Sequence, residues 1–398
     1  MGACNATERR PHVDVSSGYK SYTPDQGVGE GIPPIPQSGK RPDGATENRP
    51  LHDGAILGIA SAGAGEFISC GEDKTVRLHR LEEGSSGKFR NRATYTGHSK
   101  PAMRAVCGSN TERIYSCSRD ATVRQWNLRR SRPHSPSSSA TLRVFEGHTL
   151  ACTAVALSAD ERTVCSGSRD TSLRLWDVET GVCTASVSVP RNLVTCLKYL
   201  SVAPSSSSST IVQGGEDMRL RVWDVREAGL RPALTIEGYK YFPLCIDVSA
   251  DGFQVLTSSK GFNGVGCETK LWDLRTSSFV REYNGHTQDA TACAFLPEGG
   301  LLRRGDGGSA NMIATASKDE TIKIYDRAKG KIIVDHIDPG CGGYTGLAVE
   351  LDSQSLSIVM YASTITGGLY ALRLEGVDNG ESGVRLRCVG FVEGSAIS

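Results

Sequence analysis

The sequence has almost no net charge: 45 Lys and Arg stand against 44 Asp and Glu, leaving +1 over 398 residues. A chain that grips nucleic acid by its phosphates normally carries a basic excess, so nucleic acid is not an expected partner. No apolar run approaches the roughly 20 residues of a membrane-spanning helix, and the first residues lack the apolar stretch of a secretory signal. A soluble cytoplasmic chain is expected. Cysteine occurs thirteen times, but the number is odd, no CxxC pair occurs, and Cys165, Cys196 and Cys293 sit inside apolar stretches. Zinc sites need paired Cys or His at short spacing. Small buried hydrophobes in a reducing compartment fit this usage better. No metal or cofactor is expected.

What the sequence does have is repetition. Six segments share one form: TVRLH (75–79), TVRQW (122–126), SLRLW (172–176), RLRVW (219–223), ETKLW (268–272) and TIKIY (321–325). Their last residues lie 47, 50, 47, 49 and 53 positions apart, and all four tryptophans, Trp126, Trp176, Trp223 and Trp272, fall at this one place. Each segment alternates with period two, the pattern of a strand. Asp73, Asp120, Asp170, Asp217 and Asp319 stand two residues before their segments, where a tight turn would feed the strand. Gly97-His98, Gly147-His148 and Gly285-His286 lie upstream. The His-to-Asp spacing is 22 twice and 33 in the last case, where the polar stretch 300–310 supplies the excess.

With these marks the sequence resembles the WD-repeat (WD40) family, whose units of about 40–45 residues fold as four-stranded blades around a central channel. The resemblance implies an all-β, seven-bladed propeller over 51–393, after a disordered tail (1–50) rich in Pro, Gly and charge and before a short C-terminal tail (394–398). Repeats cover about 51–374. The seventh (344–374) lacks the Trp and Asp marks and follows from spacing and from the need to close the ring. Residues 384–392 are expected to form its outer strand, with closure by the N-terminal segment as the alternative.

Ser, His and Asp at regular spacing invite a hydrolase reading, but a triad needs one activated nucleophile in a pocket with an oxyanion hole. Here the set recurs: His98 and Asp120 with Ser116 or Ser118, His148 and Asp170 with Ser166 or Ser168, His286 and Asp319 with Thr315 or Ser317. Repeated catalytic triads in one domain make little sense, and no catalytic residue is assigned. The family resemblance implies a structural hydrogen-bond network instead, completed by Trp126 and Trp176. The first repeat ends in His79, the fourth lacks a matching His, and the fifth has Gly238-Tyr239 and no Asp. Those blades are expected to be held less firmly. The middle position of all six segments is basic (Arg77, Arg124, Arg174, Arg221, Lys270, Lys323). Aliphatic stems packed between blades explain this better than a phosphate-binding ring.

Insertions distinguish the two faces. Residues 131–139, 202–210, 299–310 and 375–383 are polar, Ser- or Gly-rich, and all fall in a–b or c–d connections on one side of the disc. The opposite side carries the b–c turns, where Glu72, Arg119, Arg169, Glu216 and Lys318 precede the aspartates or their equivalents, and it is the expected partner face. The fifth blade adds a longer b–c loop (258–268) with Lys260 and Phe262. A strand and no helix follows this Gly-rich stretch, so a phosphate cradle is not indicated.

Residues 147–181, this loop and LWDLR (271–275) resemble a branch of the WD-repeat family associated with cilia, membrane-linked regulators of small GTPases and intraflagellar transport cargo. The resemblance implies a monomeric, non-enzymatic scaffold or adaptor working within a complex in ciliary trafficking, at the cilium or its base. The alternative is a substrate receptor or subunit of a ubiquitin ligase or chromatin complex. The N-terminus reads Met1-Gly2-Ala3-Cys4, with Ala6 where myristoylation prefers Ser or Thr. Gly2 and Cys4 are candidate acylation sites, since two chains anchor a protein stably at a membrane where one is marginal.

Overall fold

Stretches of five to ten residues with alternating apolar side chains, separated by turns, bury both faces as sheets stacked side by side. The computed structural model of the chain describes residues 51–392, leaving out 83–87, 109–111, 129–140, 201–209, 227–229, 299–310, 353–354 and 378–382. Within them lie seven four-stranded antiparallel sheets, each built from four strands consecutive in sequence. The blades occupy 56–95, 102–145, 152–188, 194–236, 243–283, 290–337 and 344–392. Strands a to d run from the inside of each blade outward. Each a strand packs on the a strand of the next blade, and the seventh on the first, which closes a ring. The fold is a seven-bladed β-propeller.

The core is divided as this geometry requires. Seven apolar clusters each lie between two neighbouring blades. Trp126 packs on Tyr95 of the preceding blade and Trp176 on Phe145, with ring centroids 5.7 Å apart in both cases. In the blade-five/six junction Tyr283 and Tyr325 take those places at 5.4 Å. Burying a side chain of this size against its neighbour contributes several kcal/mol, so the recurring aromatic is what ties blade to blade.

Ring closure needs no exchanged strand. Blade seven is made of Tyr344–Leu351, Ile358–Thr364, Leu369–Val377 and Gly383–Val392, so its outer strand comes from the C-terminal segment and the N-terminal alternative falls. The expected loop 375–383 is shorter than its polar composition suggested, because the strands continue through Glu375↔Arg385 and Gly376↔Val384. Blade one meets blade seven through Phe67, stacked on Tyr361 at 4.5 Å, and through Gly65 N–H donating to Glu350 at 3.0 Å. The insertions 131–139, 202–209 and 299–310, like residues 1–50 and 393–398, lie outside the described residues.

Candidate interaction surface

The residues that repeat in sequence meet in space. In blade three Trp176 Nε1–H donates to Ser166 Oγ (2.8 Å), Ser166 is 2.8 Å from His148 Nε2, and His148 Nδ1 is 3.0 Å from Asp170. Blade two repeats the relay through Trp126, Ser116, His98 and Asp120 with every step at 2.8 Å. Blade six uses His286, Thr315 and Asp319, with Tyr325 in the tryptophan position. The direction of each bond follows: indole N–H to serine, serine O–H to Nε2, Nδ1–H to carboxylate. The Gly before His is dictated by closeness, since a Cβ at Gly147 would lie 2.9 Å from Arg174 and 3.2 Å from Trp176.

Ser116, Ser166 and Thr315 are fully buried and hydrogen-bonded to their histidines, so these hydroxyls are not presented to a substrate. The other hydroxyl of each pair acts elsewhere. Ser118 donates to Lys100 C=O and Ser168 to Leu150 C=O, both at 2.9 Å. Burial alone would raise the Asp170 carboxyl, but hydrogen bonds from Ser172 and Thr149 and the nearby His148 hold it at about 2. Asp73, Asp120 and Asp319 are likewise held well below the usual carboxylate range against the effect of burial, by their histidine and by Thr75, Thr122 and Thr321.

Three blades depart from what the sequence suggested. Blade one is complete: His52, two residues inside the described chain, sits 2.9 Å from Asp73 and 2.6 Å from Ser69, and Ser69 is 2.7 Å from His79. His79 thus takes the tryptophan's place in a relay that the sequence did not reveal for this blade. In blade four Asn192 and Gln213 exchange two amide bonds (3.1 and 2.9 Å), and Gln213 accepts from Trp223 at 3.3 Å. In blade five the Tyr239 hydroxyl lies 2.8 Å from Thr257. Four of the six basic middle positions are ion-paired: Arg77 with Asp73 (2.9 Å), Arg221 with Asp217 (2.5 Å), Lys270 with Glu268 (3.3 Å) and Lys323 with Asp335 (2.6 Å). Arg124 lies over the Trp126 ring.

Glu72, Arg119, Arg169, Glu216 and Lys318 all stand in b–c turns, and Lys260 and Phe262 in the fifth blade's longer version, so the topology puts them on one face. The turns are tight because the residue after each Asp adopts positive φ (Lys74, Ala121, Thr171, Met218, Glu320). Arg169 reaches Glu216 of the next blade at 3.3 Å, and Lys318 reaches Asp289 at 2.7 Å. Lys260 lies over the Phe242 ring.

The long loop of blade five is a built structure. Phe262 and Val265 pair across a turn, Gly264 N–H donates to Thr287 C=O (3.0 Å), and Gly261 N–H donates to Asp289 (3.0 Å). The Tyr241 ring covers Gly266, where a Cβ would meet it at 2.0 Å. This leaves Phe262 69% and Val265 51% exposed on a hairpin with little freedom. Sequence reading found the loop but not its docking on blade six, which depends on residues far along the chain. Gly2 and Cys4 lie outside the described residues.

The model for the WD domain, G-beta repeat, matches residues 48–80, 89–127, 139–177, 181–224 and 277–326, slightly more than half of the chain. The chain belongs to the WD-repeat family. It is 32% identical over 227 residues to MST50-interacting protein 11 of Pyricularia oryzae, covering 57% of this chain and 65% of that one. It is 34% identical over 112 residues to autophagy-related protein 16 of Arabidopsis thaliana, covering 28% and 20%. With small ribosomal subunit protein RACK1 of Dictyostelium discoideum it shares 40% identity over 80 residues, or 20% and 24% of the two chains. Each match thus spans less than two thirds of the relative's length. WD-repeat propellers generally serve as protein-interaction scaffolds, and this chain has the architecture of one.

Proposed function

We propose that this WD-repeat protein is a non-enzymatic scaffold that assembles partner proteins on the face of its b–c turns, in trafficking linked to the cilium and to membrane-associated regulators of small GTPases. The observation that carries the scaffold reading is the blade-five hairpin. An exposed aromatic fixed on a rigid backbone is the kind of group that dominates binding energy at an interface. The reading also draws on relatives, one of which is named for interacting with another protein. The ciliary setting rests on the resemblance of 147–181, the hairpin and 271–275 to the cilium-associated branch of the family. Within this proposal the chain works in the cytoplasm, and acylation of Gly2 and Cys4 would attach it to the membrane where its partners sit.

Affinity capture of the full tagged chain from ciliated cells, beside its Phe262→Asp variant, tests the proposal. Recovery of trafficking or GTPase-regulating proteins by the parent and their loss with the variant is the expected result. Equal recovery by both removes the hairpin from the reading. Ubiquitin-ligase or chromatin subunits in their place would replace the ciliary setting. The intact mass of the N-terminal peptide tests the anchor, and a free Gly2 and Cys4 would end that part.

A further inference from the structure

Blades five and six show what fills the gap between two neighbouring blades on this face. The hairpin of blade five runs antiparallel to 287–288, bridging Phe262 to Gln288 and bonding to Thr287 C=O. Beside it Asp289, 8% exposed, takes the Lys318 ammonium at 2.7 Å. The backbone of the hairpin and a carboxylate therefore occupy the space.

Blades two and three have the same frame and lack both fillings. Counting from the histidines, Thr149, Leu150 and Ala151 correspond to Thr287, Gln288 and Asp289, and Arg169 corresponds to Lys318. The b–c turn of blade two is the short form, Arg119 to Ala121, so no hairpin crosses. The result is an open notch of about 460 Å3 whose lining includes the cations Lys100, Arg119 and Arg169, the apolar Leu150 and Ala151, and one carboxylate, Asp120. Leu150 is 55% exposed, and its carbonyl is held by Ser168 as that of Lys100 is held by Ser118. Where blade six supplies a carboxylate, these two blades carry Pro101 and Ala151. Arg169 borrows Glu216 from blade four, and among the described residues neither Lys100 nor Arg119 has an ion-pair partner. Asp120 and Asp170 are committed to their histidines.

We propose that this notch binds a short extended acidic segment of a partner protein. Its backbone would lie along 149–150 as the hairpin lies along 287–288, an aliphatic or aromatic side chain would cover Leu150, and its carboxylates would meet Lys100, Arg119 and Arg169. The proposal rests on the scaffold reading and deepens it: the hairpin and the notch are separate stations on one face, so two partners can be held at once. Two cations without an ion-pair partner, Lys100 and Arg119, with Arg169 beside them and an apolar floor favour a peptide with both features over a bare anion.

The test uses the full chain and a fluorescein-labelled decapeptide alternating aspartate with phenylalanine, read by fluorescence anisotropy. Its lysine-for-aspartate counterpart and inorganic phosphate serve as comparison and competitor. The acidic peptide should bind, and raised salt should weaken it. Ala151→Asp, which restores the carboxylate of blade six, and Arg119→Glu should each weaken it at least about tenfold with thermal unfolding unchanged. Binding that is absent, or equal for parent and A151D, or equal for the lysine peptide, overturns the proposal. Displacement by phosphate at low millimolar concentration overturns it in favour of an anion site. Since the Phe262 capture experiment reads the other station, failure here with partners still recovered there would leave the scaffold reading in place.

Discussion

Thr345 and Ile56 lie 289 positions apart, yet Thr345 Oγ1 donates to Ile56 C=O at 2.5 Å across the ring closure. The same bond recurs between blades whose order in sequence is consecutive: Thr153 to Val194 C=O (2.6 Å), Thr195 to Pro243 C=O (2.6 Å) and Thr291 to Tyr344 C=O (2.8 Å). Each threonine is the second residue of an a strand. The closing junction is therefore built like those between blades three and four, four and five, and six and seven, from side chains and one repeated hydrogen bond, with no strand contributed from the opposite end of the chain.

A ring closed in this way should open first where no connecting chain crosses. Thr345→Val removes a partly buried donor bond worth about 1 kcal/mol, and Thr153→Val should cost a similar amount globally. Their local effects should differ. In hydrogen exchange, T345V should lose protection in 56–63 and 344–351 ahead of the rest, whereas in T153V blades three and four stay joined by the chain at 189–193 and exchange with the whole. Identical exchange patterns for the two variants would refute an opening at the junction of blades seven and one.

The two serines of blade three, equal candidates in sequence, carry different loads. Ser166→Ala strands both the Trp176 N–H and His148 Nε2, fully buried groups whose desolvation costs about 1–3 kcal/mol each, so it should destabilise by more than about 2 kcal/mol. Ser168→Ala frees only Leu150 C=O and Asp170 N–H near the surface and should cost about 0.5–1.5 kcal/mol. Chemical denaturation of both variants orders them, and an inverted order would contradict the relay.

Much of this was legible because the repeat writes the same solution several times. Trp126, Trp176 and Trp223 each mark a c strand ending against the neighbouring blade, and period two around them leaves no alternative to a sheet. Legibility failed where chemistry was conserved without the letters. His52 follows Leu51 instead of Gly and stands 21 residues before Asp73, so the relay of blade one was hidden, although a His just ahead of an apolar run was there to be tested. Asn192 and Gln213 replace a histidine and a serine with two amides of matched length, a substitution visible only once the strands are aligned. The threonines of the a strands recur plainly in sequence, but their acceptors belong to another blade. Nothing local says that the 260–268 hairpin lies on 287–289.

Acid should lower the stability of the propeller over two separate pH ranges. Burial lowers the His52 and His148 pKa values below 6.5, more than their aspartates raise them, and burial puts His79 well below it. In the unfolded chain these histidines titrate near 6.5, so below about pH 6.5 the unfolded state binds more protons and stability begins to fall. The depressed carboxyls act later: Asp170, held at about 2, and Asp73, Asp120 and Asp319 stabilise the fold above the unfolded value of about 3.9, and that contribution is lost as pH falls from about 4 towards 2. Melting temperature against pH should show both descents. His148→Asn combined with Ser166→Gln, the pair blade four uses, should shrink the first descent, and an unchanged profile would mean that His148 does not contribute to it.

Gly266 separates the shape of the blade-five hairpin from its chemistry. Its φ is +80°, and any Cβ there would run into the Tyr241 ring at 2.0 Å. Ala in the left-handed region costs about 1–2 kcal/mol on its own, and the ring must also move. Gly266→Ala should therefore displace the hairpin while leaving every apolar side chain of the surface in the sequence. The blade beneath should hold, because Ser258 and Thr269 still pair and the Tyr239–Thr257 bond lies below the loop. Circular dichroism should be unchanged, with the melting temperature lowered by a few degrees. If partners bind a rigid knob, capture by G266A should fall as far as capture by F262D. If they bind Phe262 through a loop that adapts to them, G266A should capture normally while F262D does not. Normal capture by both variants would exclude the hairpin and shift attention to the notch between blades two and three.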